Sequence, residues 1–333
     1  MSRDFLVFNT GGTFGMVEGP SGLTPGAELQ QRIERQFPEL AGLFDLIDLH
    51  PLIDSSNLMP DNWHKIGVEV FKAATHYQGI IIIHGTDTLA YTASALSFIC
   101  GHLGIPLVVS GSQKPLEFPS CDAAANLKAS FSLLQSAPAP GVYVCFGGYV
   151  LQGNRVRKIS VQSYQGFDSP NAARLGLSEP SLLMVSTAPA HTGPHCDEVP
   201  LFANRAVATL LVYPGMPAEM IDGLVSSGCK AIILLSYGSG NIPASDRILM
   251  EALERAADSG ILIVNLTQCA SGYVEQGVYE AGSELLRLGA LDGYDLTPEA
   301  AFAKMHFLLA TCHDREAVVA AWPQPLCGEF TQR

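Results

Sequence analysis

Three hydroxyl-bearing turns each stand directly behind an apolar run. They are Asn9-Thr10-Gly11-Gly12-Thr13-Phe14-Gly15, His84-Gly85-Thr86-Asp87-Thr88 and Val109-Ser110-Gly111-Ser112-Gln113-Lys114-Pro115. A threonine hydroxyl is a poor nucleophile at neutral pH and needs a base or another route for its proton. Asp87 lies beside Thr86, and Lys158 closes the segment Gly153-Asn154-Arg155-Val156-Arg157-Lys158. A lysine buried next to a carboxylate can hold or release a proton according to its desolvation and pairing. The glycines permit tight turns and bring backbone N–H groups close to a ligand. These residue types suit a small-molecule hydrolase or transferase with a Thr/Ser-rich pocket, although spacing alone does not bring Lys158 to Asp87. Plainer roles compete. The glycine pair could be a bare turn, Asp87 could cap the helix that follows, and the Ser112 segment could simply support a crevice.

Other chemistries fit poorly. The dinucleotide fingerprint GxGxxG opening a helix and the phosphate loop GxxxxGK[ST] are both missing, so no cofactor is expected. The eight cysteines are scattered without a CxxC, and most read as small buried hydrophobes in a chain that needs no disulfide staples. His191 and His195 could share a helix face, but Pro189 and Pro194 favour a loop there, and no metal site is expected. A net charge of -13 (19 basic against 32 acidic side chains) argues against non-specific attachment to nucleic acid or an anionic membrane. No basic leader precedes a signal-like segment, and runs such as Gly79-Ile80-Ile81-Ile82-Ile83 are too short to span a bilayer. A cytoplasmic protein is expected.

The elements that must position the turns are readable from periodicity. Fully apolar runs at 5–8, 46–49, 80–84, 105–109 and 142–146 suit strands covered on both faces, as in a parallel α/β sheet. In a parallel sheet Thr13 and the Thr86 segment would emerge at carboxyl ends of strands, where crevices form. Helices are expected over 27–36, 61–76, 90–102 and 123–136, the second placing Trp63, Ile66, Val70, Phe71 and Ala74 on one face. A polar, glycine-rich loop precedes the first of them. Residues 165–205 show little periodicity and read as a connection between domains. Regular alternation returns with strands at 207–212, 230–235 and 261–265 and helices at 217–227, 245–258, 299–310 and 314–321. The expectation is a two-domain α/β protein: 1–190 carrying most site residues, a linker at 191–206, and a smaller domain at 207–333.

The ordered set TGGTFGM, PLIDSSNLMP, HGTDTLAYTASALSF, GSQKP, GNRVRKI, LLSYGSGNIP and NLTQCASGYV resembles the bacterial-type L-asparaginases, in particular their cytoplasmic (type I) branch, over nearly the whole length. The resemblance implies hydrolysis of the L-asparagine side-chain amide to L-aspartate and ammonia. It implies Thr13 as nucleophile, Thr86 as the second active-site threonine, and Asp87 and Lys158 as the acid and base that accompany it. Ser55 matches the serine holding the substrate α-carboxylate, Asp87 would also face the α-ammonium group, and Ser56 stands where secreted relatives often carry Gln. Gly12, Gly85 and Ser112 complete the implied substrate-binding set. A left-handed crossover, a mainly parallel N-terminal sheet, a mobile loop over 15–27 and a homodimer or homotetramer are implied as well.

Two departures follow from the same resemblance. Leu23 occupies the place of a loop tyrosine, and leucine cannot relay a proton or orient a hydroxyl; Tyr91 reads as a helix residue rather than its replacement. After GSQKP the family's Arg-Ser-Asp-Gly is replaced by Ser120-Cys121-Asp122-Ala123, with Lys114 or Arg155 as candidates to compensate. They leave three readings: an asparaginase, a related amidohydrolase for a different small amide, or a non-catalytic amino-acid sensor. Cys269 is expected to be a buried structural thiol, near where cytoplasmic relatives can carry a regulatory amino-acid site. Tyr237 and Asn241 suit either turn chemistry or a wall of the site.

Overall fold

The computed structural model describes residues 3–20, 22–179, 182–185, 193–277 and 280–332. The chain divides into Met1–Val199 and Pro200–Arg333. In chain order the first unit contains β1 (Phe5–Asn9), β2 (Met16–Gly19), β3 (Gly22–Pro25), α1 (Leu29–Gln36), β4 (Phe44–Asp48), α2 (Pro60–Ala73), β5 (Gly79–Ile83), α3 (Leu89–Cys100), β6 (Pro106–Ser110), α4 (Ala123–Gln135), β7 (Gly141–Phe146), β8 (Tyr149–Gln152), β9 (Arg157–Lys158), β10 (Phe167–Asp168), β11 (Gly176–Glu179) and β12 (Leu182–Val185). Eight of these strands form one sheet in the order β12-β11-β8-β7-β6-β5-β1-β4. From β4 through β7 neighbouring strands run parallel, while β8, β11 and β12 extend the sheet antiparallel.

The central strands are apolar on both faces because helices cover both sides of a parallel sheet. Ile80, Ile81, Ile82 and Ile83 of β5 are at most 1 % exposed. Each such side chain contributes roughly 2–3 kcal/mol through removal from water. On one face Phe5, Val7, Ile81 and Val108 pack with Leu127 and Phe131 of α4. The α2 helix begins where Pro60 occupies its first turn and the Asn62 side chain accepts from the Met59 N–H at 2.8 Å. Its buried face carries Trp63, Ile66, Val70 and Ala73, with Phe71 and Ala74 half-buried.

The strand register decides where the chemistry can be. Asn9, the last residue of β1, lies level with Ile83 of β5, and Ile83 with Ser110 of β6. Three neighbouring strands therefore release the Gly11-Gly12, Gly85-Thr86 and Gly111-Ser112 turns at one height. Strand order also reverses beside β1, which has β4 on one side and β5 on the other. Crevices at the carboxyl ends of parallel strands open at such reversals.

The second unit contains β13 (Val207–Leu211), α5 (Glu219–Ser226), β14 (Ala231–Ser236), α6 (Arg247–Asp258), β15 (Leu262–Thr267), α7 (Glu280–Arg287), β16 (Leu291–Asp292), α8 (Pro298–Thr311) and α9 (Arg315–Ala321). Its four strands are parallel in the order β13-β14-β15-β16. Among the described residues no helix is long and apolar enough to cross a membrane.

Several expectations need correction. The segment 165–205 is more than a connection: β11 pairs with β8 and β12 with β11, lengthening the main sheet. Four-residue strands are too short to show a period in the sequence. Residues 180, 181 and 186–192 of that segment, including Pro189, His191 and the start of the expected linker at 191–206, lie outside the described residues. The polar stretch before α1 is an antiparallel hairpin of β2 and β3, in register Met16 with Pro25 and Glu18 with Leu23; Ser21 lies outside the described residues. Cys269 is exposed rather than buried. Helix α7 was not expected.

Candidate active site

The first two turns meet through their backbones. Gly12 has φ +87, and a Cβ there would fall 2.5 Å from the Gly85 amide nitrogen and 3.1 Å from the His84 carbonyl carbon. Both facts demand glycine, one by conformation and one by space. Gly11, at φ +115, is pressed against Ile53, and a Cβ on it would stand 2.7 Å from the Ile53 nitrogen. A Cβ on Gly85 would lie 2.7 Å from Ser55 Cβ. The Thr13 turn is thus packed backbone to backbone on the Thr86 turn, and the small Ser55 side chain fills the space between its loop and Gly85.

Hydrogen bonds hold that stack. The Thr10 N–H and hydroxyl donate to the Ile83 carbonyl at 3.0 and 2.9 Å. The Asn9 carboxamide accepts from the Gly11 N–H at 3.1 Å and donates to Asp48 at 2.7 Å, so one side chain shapes the glycine turn and ties it to the end of β4. Ser55 is buried; its hydroxyl accepts from the Asp87 N–H at 3.3 Å, and its carbonyl accepts from Thr88 Oγ1 at 2.8 Å. No local pattern announces the Asn9–Asp48 pair, because it joins the ends of two strands separated by 39 residues.

Lys158 closes the group. Its ammonium donates to Thr86 Oγ1 at 2.8 Å and to Asp87 Oδ1 at 2.7 Å. The lysine is 20 % exposed and the aspartate 59 %. Strand β9, paired with β10, carries Lys158 to this point opposite Phe167. The capping role considered for Asp87 does not hold: Thr88 is the residue before the first turn of α3, with no side-chain cap, and the Asp87 carboxylate is engaged by Lys158.

His84 is fully enclosed beneath the Thr86 turn. Its Nδ1 lies 2.7 Å from the Gly85 carbonyl and its Nε2 2.9 Å from the Thr92 hydroxyl. A carbonyl only accepts, so Nδ1 carries the proton and Nε2 accepts from Thr92, an assignment made from the bonding pattern. Burial holds this imidazole down at about 4, so it is neutral at pH 7. Because a trans peptide points its C=O and N–H in opposite directions, fixing the Gly85 carbonyl toward His84 turns the Thr86 N–H the other way.

The third turn is a buttress. Asp122 accepts from the Gln113 N–H at 2.8 Å and the Lys114 N–H at 3.1 Å, and receives the Asn126 carboxamide at 3.2 Å. Ser112 is buried and donates its hydroxyl to the Lys114 carbonyl at 2.6 Å. Lys114 lies 5.4 Å from the Tyr164 ring centroid, and the buried Arg155 donates to the Asn171 carbonyl at 2.6 Å. Ser56 is exposed, Tyr91 is half-buried on α3, and Leu23 is 44 % exposed on β3. In the second unit Tyr237 and Asn241 exchange backbone hydrogen bonds at 2.8 Å across a glycine turn. Among the described residues no group of three or more His, Cys, Asp or Glu is placed to hold a metal ion.

Comparisons with known proteins agree along the whole chain. Residues 4–189 match the family model described as "Asparaginase, N-terminal", and residues 206–321 match "Glutaminase/Asparaginase C-terminal domain". The chain is 36 % identical to "L-asparaginase 1" of Escherichia coli strain K12, over 99 % of this chain and 98 % of that protein. It superposes on the crystal structure of L-asparaginase I from Vibrio cholerae with a TM-score of 0.88 and 35 % identity, covering 99 % of this chain and 100 % of the other. The L-asparaginase of Thermococcus kodakarensis gives a TM-score of 0.87 at 30 % identity, with coverages of 99 % and 100 %.

Proposed function

The chain belongs to the asparaginase family, and from that premise we propose that it hydrolyses the side-chain amide of L-asparagine to L-aspartate and ammonia with Thr13 as nucleophile. The observation that carries the residue roles is the backbone contact of Gly12 with Gly85, combined with the Lys158 bonds to Thr86 and Asp87. Attack by the Thr13 hydroxyl on the carboxamide carbon requires somewhere for the hydroxyl proton to go. The Thr86 hydroxyl, Lys158 and Asp87 form a continuous hydrogen-bonded chain for that traffic. A lysine that is to accept a proton must first release one, which the partly exposed Lys158 can pass to solvent while the Asp87 carboxylate stays charged beside it.

Negative charge develops on the carboxamide oxygen as the tetrahedral intermediate forms. Backbone N–H groups of the glycine turns and of Thr86 are the proposed donors to it, fixed before reaction rather than reorganised during it. Losing one such donor typically costs ~3 kcal/mol of transition-state stabilisation. Collapse of the intermediate forms a Thr13 ester and releases ammonia, the proton on the leaving nitrogen coming from the same chain. Water then cleaves the ester to give aspartate and restores the hydroxyl. Ser55 and Asp87 are proposed to receive the substrate α-carboxylate and α-ammonium, with Ser56 and Ser112 as further members of the proposed substrate-binding set, Ser112 through the turn that its hydroxyl shapes.

All eight cysteines are free thiols, in keeping with the proposed cytoplasmic setting. A homodimer or homotetramer is part of the same proposal and is checked by sedimentation. The activity itself is tested by ammonia release from a panel of free and acylated asparagine and glutamine amides. Selective turnover of L-asparagine is expected. Selective turnover of another amide, or tight binding without release, would replace this reading.

A further inference from the structure

We propose that Arg32 and Glu117 are positioning residues for the reaction, a clamp that fixes the base of the β2–β3 hairpin against the Thr13 turn. Neither residue belongs to the motifs or to the catalytic set. Arg32 lies on α1, and its guanidinium serves three acceptors at once. Nε and Nη2 reach the two Glu117 carboxylate oxygens at 2.5 and 2.6 Å, while Nη1 donates to the Gly15 carbonyl at 2.9 Å. Gly15 also accepts from the Gly26 N–H at 3.1 Å, the bond that closes the hairpin base, and Phe14 accepts from the Leu116 N–H at 3.1 Å. The two residues that follow Thr13 are therefore held from α1, from the far end of the hairpin and from the turn after β6.

The packing around the guanidinium is close. A Cβ on Gly26 would strike Arg32 Nη1 and stand 2.8 Å from the Gly15 carbonyl oxygen, so this corner leaves no room for a side chain. Arg32 is 13 % exposed and Glu117 43 %. The Arg32 hydrogen bond holds the Glu117 carboxyl below the usual range, in keeping with a persistent ion pair. Immediately beside the clamp is a cavity of about 210 Å³ lined by Gly11, Gly12, Gly15, Met16, Pro25 and Asp54 among others. The hairpin base forms one wall of that cavity and the catalytic turn another. Where Arg32 holds Gly15 thus sets the spacing between Thr13 and whatever the hairpin covers. Only a planar fork can bind a carboxylate bidentately and still present a third N–H to a carbonyl, so lysine does not substitute.

The inference rests on the asparaginase reading for its kinetic arm and stands apart from it in its structural arm. Arg32→Lys and Glu117→Gln are compared with the parent by ammonia release, heat denaturation and hydrogen–deuterium exchange of the 14–26 segment. The expected result is a kcat about tenfold lower, with a smaller change in KM, as fits misplacement of a reacting group. Amide exchange in 14–26 should accelerate while the unfolding midpoint stays near the parent value. Parent-like kcat together with parent-like exchange overturns the proposal, as does a lowered midpoint with unchanged kcat, which would mark a purely structural tie. If Arg32→Lys does not fold, Glu117→Gln, on a partly exposed turn, decides alone. If the parent releases no ammonia from any amide, the asparaginase reading fails, and the exchange data still judge the clamp.

Discussion

Lys158 Nζ stands between two oxygens, 2.8 Å from Thr86 Oγ1 and 2.7 Å from Asp87 Oδ1, although 72 residues separate the lysine from the threonine. The short strand β9 delivers a cation to the carboxyl end of β5, beside the hydroxyl and the acid of the Thr86 turn, where Lys158 is the proposed proton carrier. Replacing Lys158 by methionine keeps the bulk of the stem and removes the carrier. Turnover is expected to fall by ~10²–10⁴, the usual worth of positioned acid–base groups, with the far-UV spectrum unchanged. Near-parent turnover by the folded variant would remove Lys158 from the mechanism.

The Gly12–Gly85 contact makes a sharper prediction about space. Gly12→Ala places a methyl against the Gly85 backbone at a positive φ, a conformation that costs on the order of 1–3 kcal/mol for other residues. Relief must separate the two turns, and a displacement near 1 Å can cost about 10² in rate. Gly22→Ala, at φ +119 but with open space around it, serves as the control for backbone strain alone. Equal kinetic effects of the two substitutions would contradict the role given to the contact.

Leu23 offers a gain-of-function test. It projects from an exposed strand, so a phenol fits without repacking a core. If the hairpin lacks a group that orients the nucleophilic hydroxyl, Leu23→Tyr raises kcat/KM for L-asparagine. An unchanged kcat/KM would show that the hairpin does not limit the reaction through position 23.

The buried histidines predict an acid limit. Burial lowers His84 to about 4 in the fold, against 6.5 for the free side chain, and His306 likewise. Above 6.5 both states are neutral and the contribution is fully present. Between 6.5 and about 4 the unfolded chain takes up protons that the folded chain refuses, so stability falls as pH falls. Each group accounts for roughly 3 kcal/mol across that window. Denaturant midpoints from pH 7 to pH 4 should decline, and His84→Gln should flatten the decline. An identical slope in the variant would mean that His84 titrates alike in both states.

The sequence made the central sheet readable because Ile80, Ile81, Ile82 and Ile83, with the matching runs of β1, β6 and β7, are apolar without interruption, and only a strand covered on both faces needs that. The order of the three turns was legible for the same reason: each follows such a run. The β2–β3 hairpin was not, since the four residues of β3 are all exposed and carry no hydrophobic period. Nor were β11 and β12, whose four-residue lengths hide among glycines and prolines. Cys269 illustrates a different failure. A small apolar side chain after a buried strand gives no local sign of whether the chain has already turned outward, and here it has. Asn9 with Asp48, and Arg32 with Glu117, escaped notice because each contact joins segments far apart in sequence.

The central claim is that the Thr13 hydroxyl attacks a carboxamide held between the two threonine-bearing turns. Ammonia release from saturating L-asparagine by purified Thr13→Ala, set beside the parent under the same conditions, tests it most directly. The account predicts sustained release by the parent and a loss of at least ~10³ in kcat for a variant that remains folded, since the residual groups cannot replace a nucleophile. A folded Thr13→Ala protein that turns over L-asparagine within a few-fold of the parent would contradict it.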